Sequence, residues 1–210
     1  MQTNHPLIVE PIGLTVETLP RPLVWADLFG NANPVELEIG MGKGTFLTEQ
    51  AKARPGVNFF GIEWANWFWR YASDRLRRNG CAANARTVRA EASFFLNEFV
   101  PPASLDVLHI YFPDPWPKAK QQKRRLIQPK FVPVIARVVK PGGRVQVVTD
   151  HKGYWEENIE PTIRAAEGFK VVEYNRPGSA NEGEFVGTNF ERKYRREGRP
   201  FYAIAAVREG

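Results

Sequence analysis

The stretch VELEIGMGKGTFLTEQAKA, residues 35–53, decides the fold. VELEI (35–39) is typical of a buried strand, the glycines after it permit a tight turn, and TFLTEQAKA (45–53) is typical of a helix. A strand that runs through a glycine-rich turn into a helix is the first half of a β-α-β unit. The stretch therefore predicts an α/β protein whose ligand site begins where this strand ends.

The same alternation continues along the chain. Six further strands are predicted at 57–63, 85–90, 105–112, 144–150, 169–175 and 199–209, with helices at 66–80, 93–100, 128–143 and 154–168 and a polar loop before the last strand. Nearly continuous apolar strands in repeated β-α-β units indicate a mostly parallel sheet with helices on both faces. We predict one domain over residues 23–210, preceded by an N-terminal arm, residues 1–22, that is rich in proline and polar residues.

Composition limits the class of protein. The 210 residues carry a net charge of +6, which is compatible with a nucleic-acid partner but does not show one. A single cysteine, Cys81, excludes an intramolecular disulfide and cysteine-rich metal sites, and it favours a reducing, cytoplasmic location. The three histidines are far apart, so no metal is expected, and no segment approaches the roughly 20 apolar residues of a membrane span.

Acids stand at the ends of five successive predicted strands: Glu38, Glu63, Glu91, Asp114 and Asp150. The carboxyl ends of parallel strands share one edge of the sheet, where ligands bind in such folds. Helix capping or solvation explains any one of these acids. Capping or solvation is a poor explanation for acids at five successive strand ends, so the five acids together indicate a binding site.

The glycine turn favours a cationic ligand over a dinucleotide. Its spacing is G-x-G-x-G, not G-x-G-x-x-G, with glycines at Gly40, Gly42 and Gly44. An acid two residues before the first glycine, Glu38, argues against a pyrophosphate and hence against a nicotinamide oxidoreductase. It suits the amino and sulfonium groups of S-adenosylmethionine, which are cationic. Glu63 could accept hydrogen bonds from the ribose diol of this ligand, and Glu91 could accept one from its adenine amino group.

The segment YFPDPWPKAKQQKRRL, residues 111–126, joins a stiff turn to a basic run. Prolines at 113, 115 and 117 restrict the backbone on both sides of Asp114 and Trp116. Asp114 is expected beside the methyl donor, where its carboxylate could accept the N1–H and N2–H₂ groups of guanine. Trp116 could stack on a base or pack beneath the loop.

Five cations follow this turn at once: Lys118, Lys120, Lys123, Arg124 and Arg125. A solvated helix start would explain them, but an all-cationic first turn opposes the helix dipole. RNA phosphates would compensate those charges, so the run predicts an RNA contact directly after a base pocket.

On five stretches, the chain resembles the bacterial tRNA (guanine-N7)-methyltransferase family. They are LEIGMGKG (37–44), FFGIEW (59–64), YFPDPWPKAKQQKRRL (111–126), VVTDHKGYWE (147–156) and GTNFERKYRREGRPFYAI (187–204). The resemblance implies methyl transfer from S-adenosylmethionine to N7 of the variable-loop guanine in tRNA. It also implies a Rossmann-like methyltransferase fold of seven strands with the last one antiparallel. Monomer and homodimer both remain open.

The resemblance also implies roles for individual residues. Glu38, Glu63, Glu91 and Asp114 match cofactor-binding acids, and Asp114 also matches the catalytic residue. Substrate-binding positions are matched by Lys118, Asp150, Thr188, Asn189, Phe190 and Glu191. The RNA-contact segment is matched by Lys120, Gln121, Gln122, Lys123, Arg124 and Arg125.

Two positions depart from the family pattern. Lys120-Gln121 stands where the family usually has Arg-His, which weakens a bidentate phosphate contact. Glu91 stands where the family usually has Asp, and its longer side chain shifts the carboxylate that would meet adenine. Two alternatives stay open: a methyltransferase of another RNA or DNA base, and a non-catalytic RNA-binding module on the same fold.

Overall fold

The computed structural model describes residues 5–210, which form two compact units that meet in sequence between Pro101 and Pro102. Residues 1–4 of the predicted N-terminal arm lie outside the described residues. The single domain over 23–210 stays a prediction. None of the helices within residues 5–210 is long and apolar enough to cross a bilayer.

The first unit is a layer of parallel strands with helices packed on it. Its strands are β1 (Gly13–Leu14), β2 (Val35–Ile39), β3 (Asn58–Glu63) and β4 (Ala85–Arg89), and its helices are α1 (Trp25–Phe29), α2 (Thr45–Ala53), α3 (Asn66–Arg78) and α4 (Ala92–Phe99). The strand order is β1-β4-β3-β2. In the central strand Phe60 pairs with Leu37 on one side and with Arg86 on the other.

Aromatic rings fill the core of this unit. Phe60 stacks on Phe95 and Phe95 on Phe99, with ring centres 5.4 and 4.9 Å apart, and all three side chains are fully buried. Gly61 lets α2 approach the strand, because a Cβ there would lie 2.4 Å from a methyl group of Leu47. This close packing fixes the start of α2 and therefore the glycine turn that leads into it.

The second unit combines parallel and antiparallel strands. Its strands are β5 (Leu105–Tyr111), β6 (Val139–Thr149), β7 (Phe169–Val172) and β8 (Tyr202–Arg208), and its helices are α5 (Val132–Val138), α6 (Lys152–Tyr154), α7 (Glu160–Arg164) and α8 (Asn189–Arg196). A π-helical turn, Trp155–Ile159, joins α6 to α7, and Ala119–Arg124 and Pro129–Phe131 are 3₁₀ helices. The order is β5-β6-β8-β7; β5 and β6 are parallel, and β8 is antiparallel to both neighbours.

The predicted α/β fold with mostly parallel strands and an antiparallel last strand is confirmed. The described residues contain eight strands, one more than predicted, because Gly13–Leu14 adds to the edge of β4. That short strand lies within the segment predicted as an arm.

Two element predictions are wrong. The helix predicted over 128–143 ends at Val138, because the carbonyls of Arg137 and Val138 accept from Ala103 and Ser104 and the chain then pairs with β5. The predicted polar loop between the last two strands contains α8. Its start is marked by a T-x-x-E pattern, Thr188 to Glu191, which is typical of a helix N-terminus.

Candidate active site

The glycine turn after β2 is tightly wound and packs against α3. Gly40, Gly42 and Gly44 have φ of 72°, 52° and 66°, a region that favours glycine. A Cβ at Gly44 would lie 2.9 Å from the Cβ of Ala72. The turn therefore requires glycine for its dihedral angles and, at Gly44, for its contact with α3.

Glu63, at the end of β3, braces this turn. Its Oε2 accepts the N–H of Gly42 at 3.0 Å, and its Oε1 accepts the N–H of Ala65, at the start of α3, at 2.8 Å. Each carboxylate oxygen has a second lone pair, so the group can still accept hydroxyl donors from a ligand. The predicted diol-binding acid is thus fixed in place next to the glycines.

Glu38 is the most perturbed acid of the site. Glu38 is only 3% exposed, and its buried Oε2 has no hydrogen-bond partner among residues 5–210. Burial, and then the neighbouring negative charge of Glu63, raise the pKa of Glu38 to about 8. A buried carboxylate next to a second carboxylate needs a cation to be stable in its charged form. The residues present therefore fit the amino and sulfonium groups of S-adenosylmethionine.

A cavity of about 480 Å³ lies in the first unit beside Glu91. Trp64, Arg89 and Phe94 line it, together with residues 14–17 of the N-terminal segment. Trp64 is 66% exposed, an unusual surface for so large an apolar ring. Sequence reasoning missed the role of Trp64 as a lining residue of this cavity. The signal for it was an aromatic residue placed directly after Glu63, the acid at the end of a strand.

Glu91 itself caps α4. Its two carboxylate oxygens accept the N–H groups of Ser93 and Phe94 at 3.0 and 2.7 Å. The ordinary capping role therefore applies to this acid. Its contact with adenine stays a prediction.

In the second unit, Asp114 projects from the turn after β5. Its side chain is exposed, and no hydrogen bond joins it to any residue within 5–210. Phe112 and Trp116, on either side, have φ of 52° and 42°, which side-chain-bearing residues rarely adopt. The turn thus presents a carboxylate whose oxygens are available to a ligand.

The residues of the basic run after the turn differ in solvent exposure. Lys118, at the start of the 3₁₀ helix, and Lys120, Lys123 and Arg124 are exposed, whereas Arg125 is buried. Gln121 and Gln122 are half-buried, and Gln122 donates to Glu157 at 3.2 Å. The guanidinium of Arg124 lies 5.1 Å from the ring centre of Trp116. The exposed cations are available to phosphates, and Arg125 is not.

Glu191 organises the segment before α8. It is fully buried, and its carboxylate accepts the N–H groups of Phe185, Val186 and Gly187 at 2.7 to 2.9 Å. Thr188 caps the helix by accepting the N–H of Glu191 at 3.1 Å. The predicted substrate-binding positions therefore divide: Glu191 faces inward, whereas Asn189 and Phe190 are exposed.

Replacing Glu191 with alanine is expected to lower the free energy of unfolding by about 3 kcal/mol, because three backbone donors and the guanidinium of Arg195 lose their partner. Urea denaturation followed by circular dichroism measures the loss. The exposed Glu182, in the same loop, is the control, and its alanine variant should change stability by less than about 0.5 kcal/mol. Equal effects of the two substitutions would contradict the role of Glu191.

Contacts within the second unit bring the predicted substrate residues together. Phe112, next to the prolyl turn, packs on Phe190 with ring centres 4.7 Å apart, and Phe190 packs on Tyr194 at 4.4 Å. Asp150, at the end of β6, accepts from Arg199 at 2.8 Å, and the guanidinium of Arg199 lies 3.6 Å from the ring centre of Tyr194. Phe112, Asp150 and the start of α8 are therefore linked by contacts through Arg199 and Tyr194. Asp114 follows Phe112 by two residues, and its place beside this cluster stays a prediction. Sequence reasoning missed Phe112 and Arg199.

Comparison with known proteins first defines the class. The family described as "Putative methyltransferase" matches residues 32–204. The fold is shared with the 16S rRNA methyltransferase KamB (TM-score 0.61, 15% identity, 89% of this chain and 93% of that chain). It is shared too with phosphoethanolamine N-methyltransferase 2 of Haemonchus contortus, solved with S-adenosyl-L-methionine (TM-score 0.52, 17% identity, 87% and 50%). The family match and the shared fold define the chain as a methyltransferase.

The relatives then narrow the class. The chain is 35% identical, over 94% of its length and 92% of the relative's, to the tRNA (guanine-N(7)-)-methyltransferase of Geobacter metallireducens. It belongs to the tRNA (guanine-N7)-methyltransferase family.

Proposed function

We propose that this protein transfers a methyl group from S-adenosylmethionine to N7 of the variable-loop guanine in tRNA. The observation that carries the proposal is the exposed Asp114 carboxylate, set on a constrained turn directly before the exposed cations Lys118, Lys120, Lys123 and Arg124. The curated relatives support the choice of tRNA, since they are named for that substrate.

Residues of the first unit would hold the methyl donor. The buried carboxylate of Glu38 would face its cationic groups, and Glu63 would accept from its ribose hydroxyls. The cavity beside Trp64 and Glu91 is large enough for an adenine ring, which could stack on the exposed indole. When bound, S-adenosylmethionine supplies an electrophilic methyl group; the chain supplies its binding and orientation.

Residues of the second unit would hold the nucleophile. N7 of guanine carries an unprotonated lone pair, so no base is needed to create the nucleophile, and catalysis rests on positioning and electrostatics. Asp114 would accept from N1–H and N2–H₂ of the guanine and offset the positive charge that develops on the ring. Asp150 and the exposed Asn189 and Phe190 would hold the base or ribose from the other side, and the buried Glu191 would hold their segment in place.

The direct test is incubation with tRNA and S-adenosylmethionine carrying a labelled methyl group. The product should contain 7-methylguanine, detected as chain scission after treatment with borohydride and alkali, at a single guanine of the variable loop. Label at another nucleotide would show a methyltransferase of a different base. No transfer, together with no binding of S-adenosylmethionine by calorimetry, would show a non-catalytic RNA-binding module.

Charge reversal in the basic run tests the RNA contact. Lys123→Glu combined with Arg124→Glu should weaken tRNA binding and reduce the salt dependence of the dissociation constant by roughly two counterions. Both side chains are exposed, so the fold should persist. Filter binding at several salt concentrations gives the slope, with the exposed Lys170→Glu on β7 as control. Unchanged affinity in the double variant would place the RNA contact elsewhere.

We also propose a cytoplasmic location and a monomeric or homodimeric state. Cys81 is buried with a free thiol, which suits a reducing compartment. Sedimentation of the purified protein measures the assembly state.

A further inference from the structure

Arg125 is the buried member of a run of otherwise exposed cations. Its side chain is 2% exposed. Its Nε donates to the carbonyl of Pro115 at 2.9 Å, and its Nη1 donates to Oε2 of Glu157 and Oδ1 of Asn158, both at 2.5 Å. The guanidinium lies 5.0 Å from the ring centre of Tyr154. The Nε and Nη1 donors of this buried cation are therefore engaged by protein groups, and the guanidinium is not exposed to a phosphate.

Such an arrangement is costly unless every contact is made. A buried guanidinium must recover the solvation that it loses, and it does so here through a carbonyl, a carboxylate, an amide oxygen and an aromatic face. The neighbouring Arg124 is exposed and could meet RNA without this cost. The contact of Arg125 with Pro115 therefore calls for an explanation in terms of the turn.

The element that supplies the acceptors is itself irregular. Glu157 and Asn158 lie on the π-helical turn Trp155–Ile159, which places two consecutive side chains at one guanidinium nitrogen. Single π-helical turns within helices occur frequently at functional sites. Tyr154 directly precedes this π-helical turn. Its side chain is fully buried, and its hydroxyl accepts the N–H of Ile127 at 2.8 Å.

The turn at the other end of this contact needs support. Phe112 and Trp116 are two of the three non-glycine residues with positive φ in the part of the chain that the structure describes, and they enclose Asp114. Such conformations persist only when the surrounding structure holds them. The N–H of Phe112 is held by the carbonyl of Val148 at 2.7 Å, and the carbonyl of Pro115 is held by Arg125.

We propose that Arg125 is a positioning residue of the methyl-transfer reaction: it fixes the Asp114 carboxylate by anchoring the Pro115 carbonyl to the π-helical turn. This inference rests on the proposed function, in which Asp114 holds the guanine. The other cations of the run bind RNA, and Arg125 orients the group that meets the base. Lysine cannot take its place, because one ammonium cannot present separate donors to Pro115 and to the Glu157–Asn158 pair in the planar geometry of a guanidinium.

The test is a double-variant cycle of Arg125→Lys and Asp114→Asn. Arg125→Lys should lower kcat by about 10- to 100-fold, since a small displacement of a catalytic group has that effect, and should leave KM for tRNA within about threefold. Because Arg125 acts through Asp114, the double variant should turn over no more slowly than Asp114→Asn alone. Arg164→Lys, the same change at an exposed arginine of α7 that pairs with Glu160 at 2.9 Å, is the matched control and should keep kcat within about twofold.

The outcomes separate the two proposals. A raised KM for tRNA with normal kcat in Arg125→Lys would make it an RNA contact, and multiplied losses in the double variant would make it a general stabiliser; either result overturns the inference. Near-normal turnover of Asp114→Asn would refute the role of Asp114 itself. If thermal melting shows that Arg125→Lys does not fold, Asn158→Ala removes a single acceptor, and the same non-additivity with Asp114→Asn is required of it.

Discussion

Asp114→Asn is expected to lower kcat by about 10²- to 10³-fold, the usual effect of removing one preorganised group that meets charge developing in a transition state. Asparagine keeps the size of the side chain, but it removes the negative charge and replaces one acceptor by a donor that opposes the N–H groups of guanine. The carboxylate is exposed and unbonded within residues 5–210, so the fold should not depend on it. Single-turnover kinetics with saturating tRNA and S-adenosylmethionine measure the loss.

A second acid of the same unit provides the control. Asp106 on β5 pairs with Lys140 at 2.8 Å, and Asp106→Asn should leave kcat within about twofold. Melting temperature and the dissociation constants of both ligands are measured for each variant, which separates loss of the chemical step from loss of binding. Turnover of Asp114→Asn similar to that of Asp106→Asn would remove Asp114 from the reaction.

Binding of S-adenosylmethionine is expected to depend steeply on pH through Glu38. The pKa of this buried carboxyl is raised to about 8, so below that pH the free protein holds it protonated. A cationic ligand requires the charged form, and binding must release the proton. The dissociation constant should therefore fall by about tenfold per pH unit from pH 6 to 8 and level off above pH 8.

Glu38→Gln should remove this pH dependence and, at pH 8, weaken binding by about 10²-fold or more, because the cationic groups lose their buried counter-charge. Titration calorimetry in buffers of different ionisation enthalpy counts the released proton directly. Glu36→Gln is a control on the same strand, since Glu36 is already paired with Arg54 at 2.7 and 2.8 Å. A flat pH profile in the unaltered protein would contradict the assignment of Glu38.

In the absence of ligand, Glu38 affects the free energy of unfolding in the opposite direction: ligand binding strengthens as the pH rises, whereas the stability of the free protein decreases. A folded-state pKa above the unfolded value of 4.5 means that the folded chain binds the proton more tightly. The contribution is fully present below about pH 4.5 and is lost as the pH rises through about 8. The difference in melting temperature between Glu38→Gln and the unaltered protein should therefore shift in favour of the glutamine variant as the pH rises over this range.

Patterns with a local cause predicted most of the fold. The seven predicted strands are present, because apolar runs in α/β proteins are buried on both faces and carry little ambiguity. Local pattern failed where a tertiary contact decided the outcome. Residues 128–143 look helical as far as Pro-Gly-Gly, yet pairing of Val139 with Leu105 extends β6 back to Val139.

In the site, too, residues placed by local pattern were predictable from the sequence, whereas residues placed by tertiary contacts were not. Glu38, Glu63 and the glycines were predictable because strand-end position alone brings them to one edge. Burial was not predictable for Arg125 or Glu191, since a cation in a basic run and an acid in a polar stretch look like surface residues. Their partners, Pro115 and the backbone of residues 185–187, are ordinary backbone groups that leave no signal in the sequence.

Strand β8 has a consequence for synthesis of the chain. It separates β6 from β7, and Val172 of β7 pairs with Ala205 of β8. During synthesis β7 leaves the ribosome before β8. Its backbone donors and acceptors on the β8 side stay unpaired until residues 202–208 have been made. The second unit can therefore complete its sheet only after the segment around Glu191 has been made, so a stalled or truncated chain that ends before β8 would expose a strand edge open to aggregation.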